Sequence, residues 1–207
     1  GRTIMLNDSA YTVLGVMPSD FQLPLNLSGE PMDLWAPLRL DPAHTSVGFV
    51  AKHMMVTKVR GHFPEVEGTI ALADDLTQST IDVTFKTASV NTGASDRDKH
   101  LRSGDFFDVE TYPEITFRST SIRHLGGAEF VVTGDLTIRG TTKPVELAVT
   151  FEGVGVNPWG AQVAGVSART EVDREQWGLT WNAALETGGV LVGRKVILEI
   201  EAEAKRA

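Results

Sequence analysis

Residues 130–152, FVVTGDLTIRGTTKPVELAVTFE, hold the pattern that decides the fold. Apolar and polar side chains alternate one by one on both sides of a break at Gly140-Thr141. Alternation with a period of two places one set of side chains on a dry face and the other set in water, as in a β-strand. Glycine at the break favours a turn. The stretch therefore predicts two successive strands that share one buried face.

The same alternation recurs from about Arg39 to the end of the chain, at 45–53, 81–86 and 196–203. Further strands at 66–72, 114–121 and 162–172 bring the predicted number to eight. Turn signals separate the strands. They are Asp74-Asp75, Gly126-Gly127, Gly140-Thr141, Asn157-Pro158 and Gly188-Gly189. Helical periodicity is weak, and its best candidate is the short segment 95–103.

Many antiparallel strands with one wet and one dry face form either a sandwich or a closed barrel. Eight strands close into a barrel whose interior can hold one small ligand. The outward faces carry enough charge to need no second sheet. We therefore predict an all-β fold, an eight-stranded antiparallel barrel with one short helix.

The inward faces of this barrel predict an apolar lining, made of Val47, Phe49, Val83, Phe85, Phe117, Leu136 and Ile138. Such a lining offers no polar partner deep inside, and each buried CH₂ contributes roughly 0.8 kcal/mol. A long apolar lipid would bind there even after ordering costs of several kcal/mol. The alternative is a barrel filled by its own side chains, which would act as an interaction or stress-protective module without a ligand.

Charge and composition exclude several partners. The net charge is −8, and the lysines and arginines are spread singly, so nucleic acid and an anionic membrane surface are poor partners. No apolar run approaches the roughly 18 residues that would span a bilayer. The absence of cysteine excludes disulfides and thiolate sites. No signal peptide is expected in a sequence that starts at Gly1 without a charged stretch before an apolar core.

Metal and catalytic sites are not expected. The histidines show no short-spaced ligand pair; they are His44, His53, His62, His100 and His124. The chain has no Gly-x-Ser-x-Gly motif, and Ser103 near His100 is the only local pairing of a nucleophile with a base. The sequence therefore predicts neither an enzyme nor an obligatory cofactor.

Several motifs in a fixed order carry a family resemblance. They are 41–49 DPAHTSVGF, 52–56 KHMMV, 59–63 VRGHF, 97–103 RDKHLRS, 105–108 DFFD, 112–117 YPEITF, 134–140 GDLTIRG, Asp173-Arg174, 176–179 QWGL and Trp181-Asn182. With this spacing the chain from residue 39 to 207 resembles the YceI family, the lipocalin-like polyisoprenoid-binding proteins of bacteria. The resemblance implies a lipocalin-like barrel that binds and transports an isoprenoid quinone or polyprenyl lipid. It also implies a periplasmic or secreted location, and it leaves room for a homodimer.

The resemblance also places the short helix over the mouth of the barrel, beside inward residues. A polar cluster of His53, Arg97 and His100 would then orient the head group of the cargo, with Phe106 and Trp181 as neighbouring contacts. Arg97 offers a fixed fork of donors, and the adjacent Asp98 favours a neutral quinone head over a phosphate. The structural alternative is a satisfied buried histidine and a helix-end clamp that closes the barrel.

Residues 1–38 fall outside this resemblance. The stretches 11–18 YTVLGVMP, Asp20-Phe21 and 33–38 DLWAPL resemble instead a fragment of the MacB-like periplasmic core domain of ABC transporter permeases. The residues themselves predict a hairpin of strands 2–6 and 10–17 about the turn 7–9, followed by a proline-rich loop. A two-stranded hairpin alone is marginal in water, so we expect it to dock, to pair with another chain or to stay mobile.

Overall fold

The computed structural model describes residues 2–6, 9–13, 38–71, 73, 75–186 and 188–206. Contacts divide the chain into two compact units, Gly1–Ala36 and Pro37–Ala207. The first unit contains a hairpin of β1, Arg2–Leu6, and β2, Ser9–Val13, in antiparallel register. The predicted hairpin is present, and its second strand is described from Ser9 to Val13. The predicted residues 14–17 and the proline-rich loop lie outside the described residues.

The second unit is built almost entirely of antiparallel strands. They are β3 Leu38–Leu40, β4 Ser46–His53, β5 Thr57–Phe63, β6 Val66–Ala71, β7 Thr80–Lys86, β8 Glu114–Gly126, β9 Glu129–Ile138, β10 Thr141–Val156, β11 Gln162–Asp173 and β12 Val192–Arg206. The helix α1 spans Ser95–Arg102, in agreement with the predicted 95–103. Short 3-10 turns lie at Pro42–His44, Leu76–Gln78, Thr87–Ser89 and Arg174–Trp177. Within the described ranges, no helix is long and apolar enough to cross a bilayer.

Two of the barrel strands are interrupted. The turn Pro42–His44 separates β3 from β4, and Pro64-Glu65 separates β5 from β6. Proline has no N–H for a ladder, so it breaks the pairing at these points. The halves stay in line, because β4 pairs with β5 and β3 pairs with β6. When β3 with β4, and β5 with β6, are each counted as one bent strand, the ring contains eight strands.

The ring is closed by the last strand. β12 pairs with β11 on one side and with both β3 and β4 on the other, and every pairing in the ring is antiparallel. A closed barrel leaves no unpaired edge along its ring. The predicted eight-stranded antiparallel barrel with one short helix is therefore confirmed.

Hydrogen bonds from buried polar groups close the end of the barrel near α1. The buried carboxylate of Asp98 accepts from the backbone N–H and the hydroxyl of Thr92, at 2.8 and 2.5 Å. The buried guanidinium of Arg174 donates to the carbonyls of Gly193 and Leu179. The Trp177 indole N–H donates to the carbonyl of Leu136 at 3.0 Å. Burial lowers the pKa of Arg174.

Two strand glycines, Gly134 and Gly165, have different surroundings. A Cβ added at Gly134 would lie 2.4 Å from the Phe117 ring and 2.6 Å from the Arg118 carbonyl oxygen. A Cβ at Gly165 would meet only the Glu152 Cβ at 3.4 Å, an ordinary contact. Gly134 is therefore required by the close packing of an aromatic ring on the backbone, whereas Gly165 is not.

Gly134→Ala should lower the free energy of unfolding by about 1–3 kcal/mol, because the ring and a rigid carbonyl must both move. Gly165→Ala is the matched control and should be nearly neutral. Urea denaturation of the two variants measures the difference. Equal stability of both variants would contradict the packing assigned to Gly134.

Ion pairs lie where the last strand, β12, closes the barrel against β3. Asp41 accepts from Lys205 Nζ at 3.0 Å and lies 3.2 Å from His44 Nδ1. These two hydrogen bonds, that of Lys205 first, lower the pKa of Asp41 from 3.8 to about 2. Because the folded pKa lies below the ordinary value, the ionised carboxylate stabilises the fold above pH 3.8. That contribution is lost as the pH falls towards 2.

Asp41→Asn should therefore be less stable than the parent at neutral pH, and the difference should shrink between pH 3.8 and about 2. Thermal melts across this range give the comparison. Asp135→Asn, an exposed site on β9, serves as the control and should not change the acid limb. If the melting temperatures of the parent and Asp41→Asn fall in parallel as the pH is lowered, the ionised Asp41 does not stabilise barrel closure.

Candidate functional site

The barrel wall is apolar inside, but it is not uniformly packed. Apolar side chains that pack on the buried core yet stay half-buried include Phe49, Ile81, Val83, Ile122, Leu147, Val149, Val166, Val196, Leu198 and Ile200. Side chains that fill a barrel completely are buried on all sides. Half-burial of so many inward residues therefore indicates that the interior retains room beside them.

The predicted lining residues divide into two groups. Val47, Phe85, Phe106, Phe117, Leu136 and Ile138 are buried members of the core cluster. Phe49, Val83 and Trp181 pack against that cluster and remain half-buried. Alternation alone assigned all the strand residues to the correct face but could not rank their exposure. It also places Val149 and Leu198 on the inward face, although neither is among the predicted ligand contacts.

The side chain of His100 lies at the barrel end between two aromatic residues. Its ring makes edge contacts with Trp181 and Phe106, with centroid distances of 4.5 and 5.1 Å. Its Nε2 lies 2.9 Å from a carboxylate oxygen of Asp105. A cleft of about 420 Å³ adjoins this group, and Asp105, Arg139 and Trp181 are among its lining residues. The arrangement is a polar group held at the margin of an apolar surface.

Arg97 turns away from this group. Its Nε donates to the Thr92 hydroxyl at 2.7 Å, and its Nη2 donates to the Thr92 carbonyl at 2.9 Å. Because Asp98 also accepts from Thr92, the two charged residues together fasten the start of α1 to the preceding loop. The geometry matches the alternative of a helix-end clamp.

His53 lies apart from both residues on the helix. It ends β4, opposite Thr57 on β5 and Val192 on β12. Among the residues that the structure describes, no hydrogen bond or aromatic contact joins it to Arg97 or His100. The structure therefore does not bring the three predicted head-group residues together as one cluster.

A second cleft, of about 560 Å³, lies on the outer face of the barrel. Its lining includes Arg60, Arg169 and Glu199, and Glu199 forms ion pairs with both arginines at 2.5 and 3.8 Å. Side chains of this strand face alternate with the inward ones. The cleft carries these charged side chains on the outward face, so it is a poor place for an apolar chain.

One group of metal-ligand atoms appears in the described part of the chain, at Asp41, His44 and Glu203. Asp41 and His44 are three residues apart in the chain, whereas Glu203 reaches them only through barrel closure. The ammonium of Lys205 lies 3.0 Å from Asp41 and supplies the positive charge that a cation would bring. We assign these residues to the closure of the barrel.

Comparison with known proteins places this geometry in a family. The model of the YceI-like domain matches residues 38–204. A UPF0312 protein of Staphylococcus aureus strain COL is 42% identical over 168 residues, which cover 79% of this chain and 94% of the relative. The match to the family model begins at residue 38, so the resemblance of residues 1–38 to a MacB-like domain stays a prediction.

Solved structures share the barrel. BcnA of Burkholderia cenocepacia superposes with a TM-score of 0.70 at 24% identity, over 79% of this chain and 98% of that protein. A polyisoprenoid binding domain from Saccharophagus degradans gives 0.64 at 16% identity, over 84% and 100%. Both likenesses concern the fold. Together with the matched family model and the shared barrel, they lead to one conclusion: the chain belongs to the YceI-like domain family.

Proposed function

We propose that the barrel binds one long-chain apolar lipid in its interior, and that the lipid is an isoprenoid such as a quinone or a polyprenyl chain. The observation that carries the proposal is the set of inward apolar side chains that remain half-buried, Val149 and Leu198 among them. Membership of the YceI-like family supports it. So does the fold shared with a domain described as polyisoprenoid-binding.

The chemistry of the interior selects the class of ligand. Among the described residues, no buried side-chain nitrogen or oxygen lacks a hydrogen-bond partner, so the wall offers no vacant polar group to a sugar or an ion. An apolar chain needs no such partner and gains roughly 0.8 kcal/mol for each CH₂ that it buries. Several isoprene units would exceed the cost of ordering the chain.

The proposal includes carriage rather than catalysis, because holding an apolar chain in a barrel requires no reacting group. A periplasmic or secreted location, supported by the family likeness, would suit a carrier of membrane lipids. We further propose that the polar end of the lipid contacts His100, between Trp181 and Phe106. Asp105 lies 2.9 Å from Nε2, so Nδ1 is the ring atom left for a hydrogen bond with the polar end of the lipid.

The first test compares the free space beside two inward valines, Val149 and Val132, by enlarging each side chain. Val149→Phe enlarges a half-buried residue and should reduce binding of a long-chain quinone while changing stability little. Val132→Phe enlarges a residue that is only 2% exposed and should lower stability by about 1–3 kcal/mol. Quinone titration and urea denaturation provide the two readouts. Native mass spectrometry of the gently extracted full chain should also show a co-purifying prenyl lipid.

Equal destabilisation by the two substitutions would show that the interior is filled, and the proposed function would fail. Absence of affinity for every quinone and polyprenyl chain tested would lead to the same conclusion.

The second test separates the two helix residues. Arg97→Ala removes the hydrogen bonds to Thr92 and should cost about 1 kcal/mol of stability, with quinone affinity unchanged. His100→Ala should lower quinone affinity roughly fivefold to tenfold, the scale of one lost hydrogen bond. Binding of a headless polyprene should be unaffected by either variant. If Arg97→Ala loses quinone binding but not stability, the head group contacts Arg97 and not His100.

A further inference from the structure

An exposed apolar turn joins β4 to β5. The side chains of Met54, Met55 and Val56, which we call the hairpin tip, are 45, 53 and 84% exposed. A neighbouring loop lies beside them, since the Met54 N–H donates to the Leu191 carbonyl at 2.8 Å. That loop adds Val190, which is 36% exposed. The end of the barrel at His53 thus carries apolar side chains on two adjacent loops.

The backbone of the hairpin tip does not favour methionine. Met54 and Met55 have φ angles of +52° and +59°. Hairpin turns of this kind are normally made by asparagine and glycine, which adopt positive φ with little strain. Because both methionines are exposed as well as strained, neither packing nor turn formation explains their side chains. Their side chains are therefore available for contacts beyond the barrel.

Two lysines flank the hairpin tip. Lys52 and Lys58 lie directly opposite each other in the register of β4 and β5, and both are exposed. Within the described part of the chain, neither has a carboxylate at salt-bridge distance. Like charges placed opposite each other destabilise a strand pair. The nearby Arg194 is instead paired with Asp173 and Glu175.

The opposite end of the barrel offers a natural comparison. Trp159, in the turn between β10 and β11, is 85% exposed, and Val156 is 63% exposed. The only charged residue from 150 to 165 is Glu152. This turn is as apolar as the hairpin tip, but the cation next to it, Lys205 opposite Val163, is paired with Asp41.

We propose that the hairpin tip docks on the surface of an anionic lipid bilayer. Met54, Met55 and Val56 would enter the boundary between head groups and acyl chains, while Lys52 and Lys58 stay at the level of the lipid phosphates. Methionine suits this role because its flexible side chain adapts to an irregular apolar surface. The chemistry of the patch, apolar at its apex and cationic at its base, matches the layers of such a membrane.

The net charge of −8 does not oppose this docking at close range. At physiological salt the Debye length is about 8 Å, so charges farther from the contact are largely screened. Near the patch, the acidic side chains of Glu186, Asp173 and Glu175 are balanced by the two lysines and Arg194, so the local charge is close to zero. Composition predicts repulsion from anionic membranes, but the register of β4 and β5 concentrates positive charge at the one place where contact would occur.

Docking at this site would also orient the barrel. Ala51 and His53 share the inward face of β4 with Phe49 and are half-buried. The rim next to the hairpin tip would therefore face the bilayer. This inference concerns the outer surface and does not depend on which lipid, if any, occupies the interior.

The test is co-sedimentation of the full chain with vesicles of phosphatidylglycerol and phosphatidylcholine, and with vesicles of phosphatidylcholine alone. The parent protein should bind the anionic vesicles, and salt should weaken the binding. Met54→Asn combined with Met55→Gly should raise the melting temperature, because the turn loses its strain, yet lower vesicle affinity on the order of tenfold. Lys52→Gln and Lys58→Gln should each lower the affinity roughly fivefold.

Trp159→Ser is the matched control and should leave vesicle binding unchanged. The proposal is overturned if the parent does not bind anionic vesicles, if the Asn-Gly variant binds as well as the parent, or if Trp159→Ser abolishes binding. If the parent does not bind anionic vesicles, a protein partner becomes the better explanation of the exposed apolar patch. Quinone titration without vesicles, expected to be unchanged in all these variants, keeps a failure of docking distinct from a failure of ligand binding.

Discussion

Pairing of the last strand with the first strand of the ring is the constraint on which the rest of the second unit depends. β12 forms hydrogen-bonded ladders with β11, β4 and β3, and the Asp41 N–H adds a bond to the Glu203 carbonyl at 2.7 Å. Asp41 and Lys205, which meet at this junction, are about 160 positions apart in the chain. Their contact therefore closes one long loop that contains the whole barrel, and this closure carries an entropy cost. Closure gives the wall an inside, and without it the apolar faces would meet water.

Closure also divides the interior into two environments. Near α1, charged and aromatic groups such as Asp98, Arg174 and Trp177 are buried and fully engaged in hydrogen bonds. Elsewhere along the wall, side chains such as Val149 and Leu198 are only half-buried. A barrel stabilised by hydrogen bonds at one end does not need side chains to fill its whole length. Stability and an accessible apolar wall can therefore coexist in one small fold.

Charged side chains near the helix show how local sequence can mislead. Arg97 and His100 are near neighbours in the chain and are both predicted for one polar site, with Asp98 next to Arg97. The helix turns them in different directions, so that Arg97 and Asp98 hold Thr92 whereas His100 lies against Trp181. In the same way, lysines that are scattered in the sequence become a facing pair in the β4–β5 hairpin. Direction and register, rather than composition, decide what such groups contact.

The alternation of apolar and polar residues determined most of the strands and their inward face, because a period of two is imposed by the pleat itself. It did not predict β3, Leu38–Leu40, or β5, Thr57–Phe63. The helix at 95–102 and the apolar character of the lining could also be predicted. The bent strands, the meeting of Asp41 with Lys205 and the separation of His53 from His100 could not. These depend on which strands become neighbours and on how far each side chain is covered. Such relations join residues far apart in the chain, and only the closed barrel brings them together.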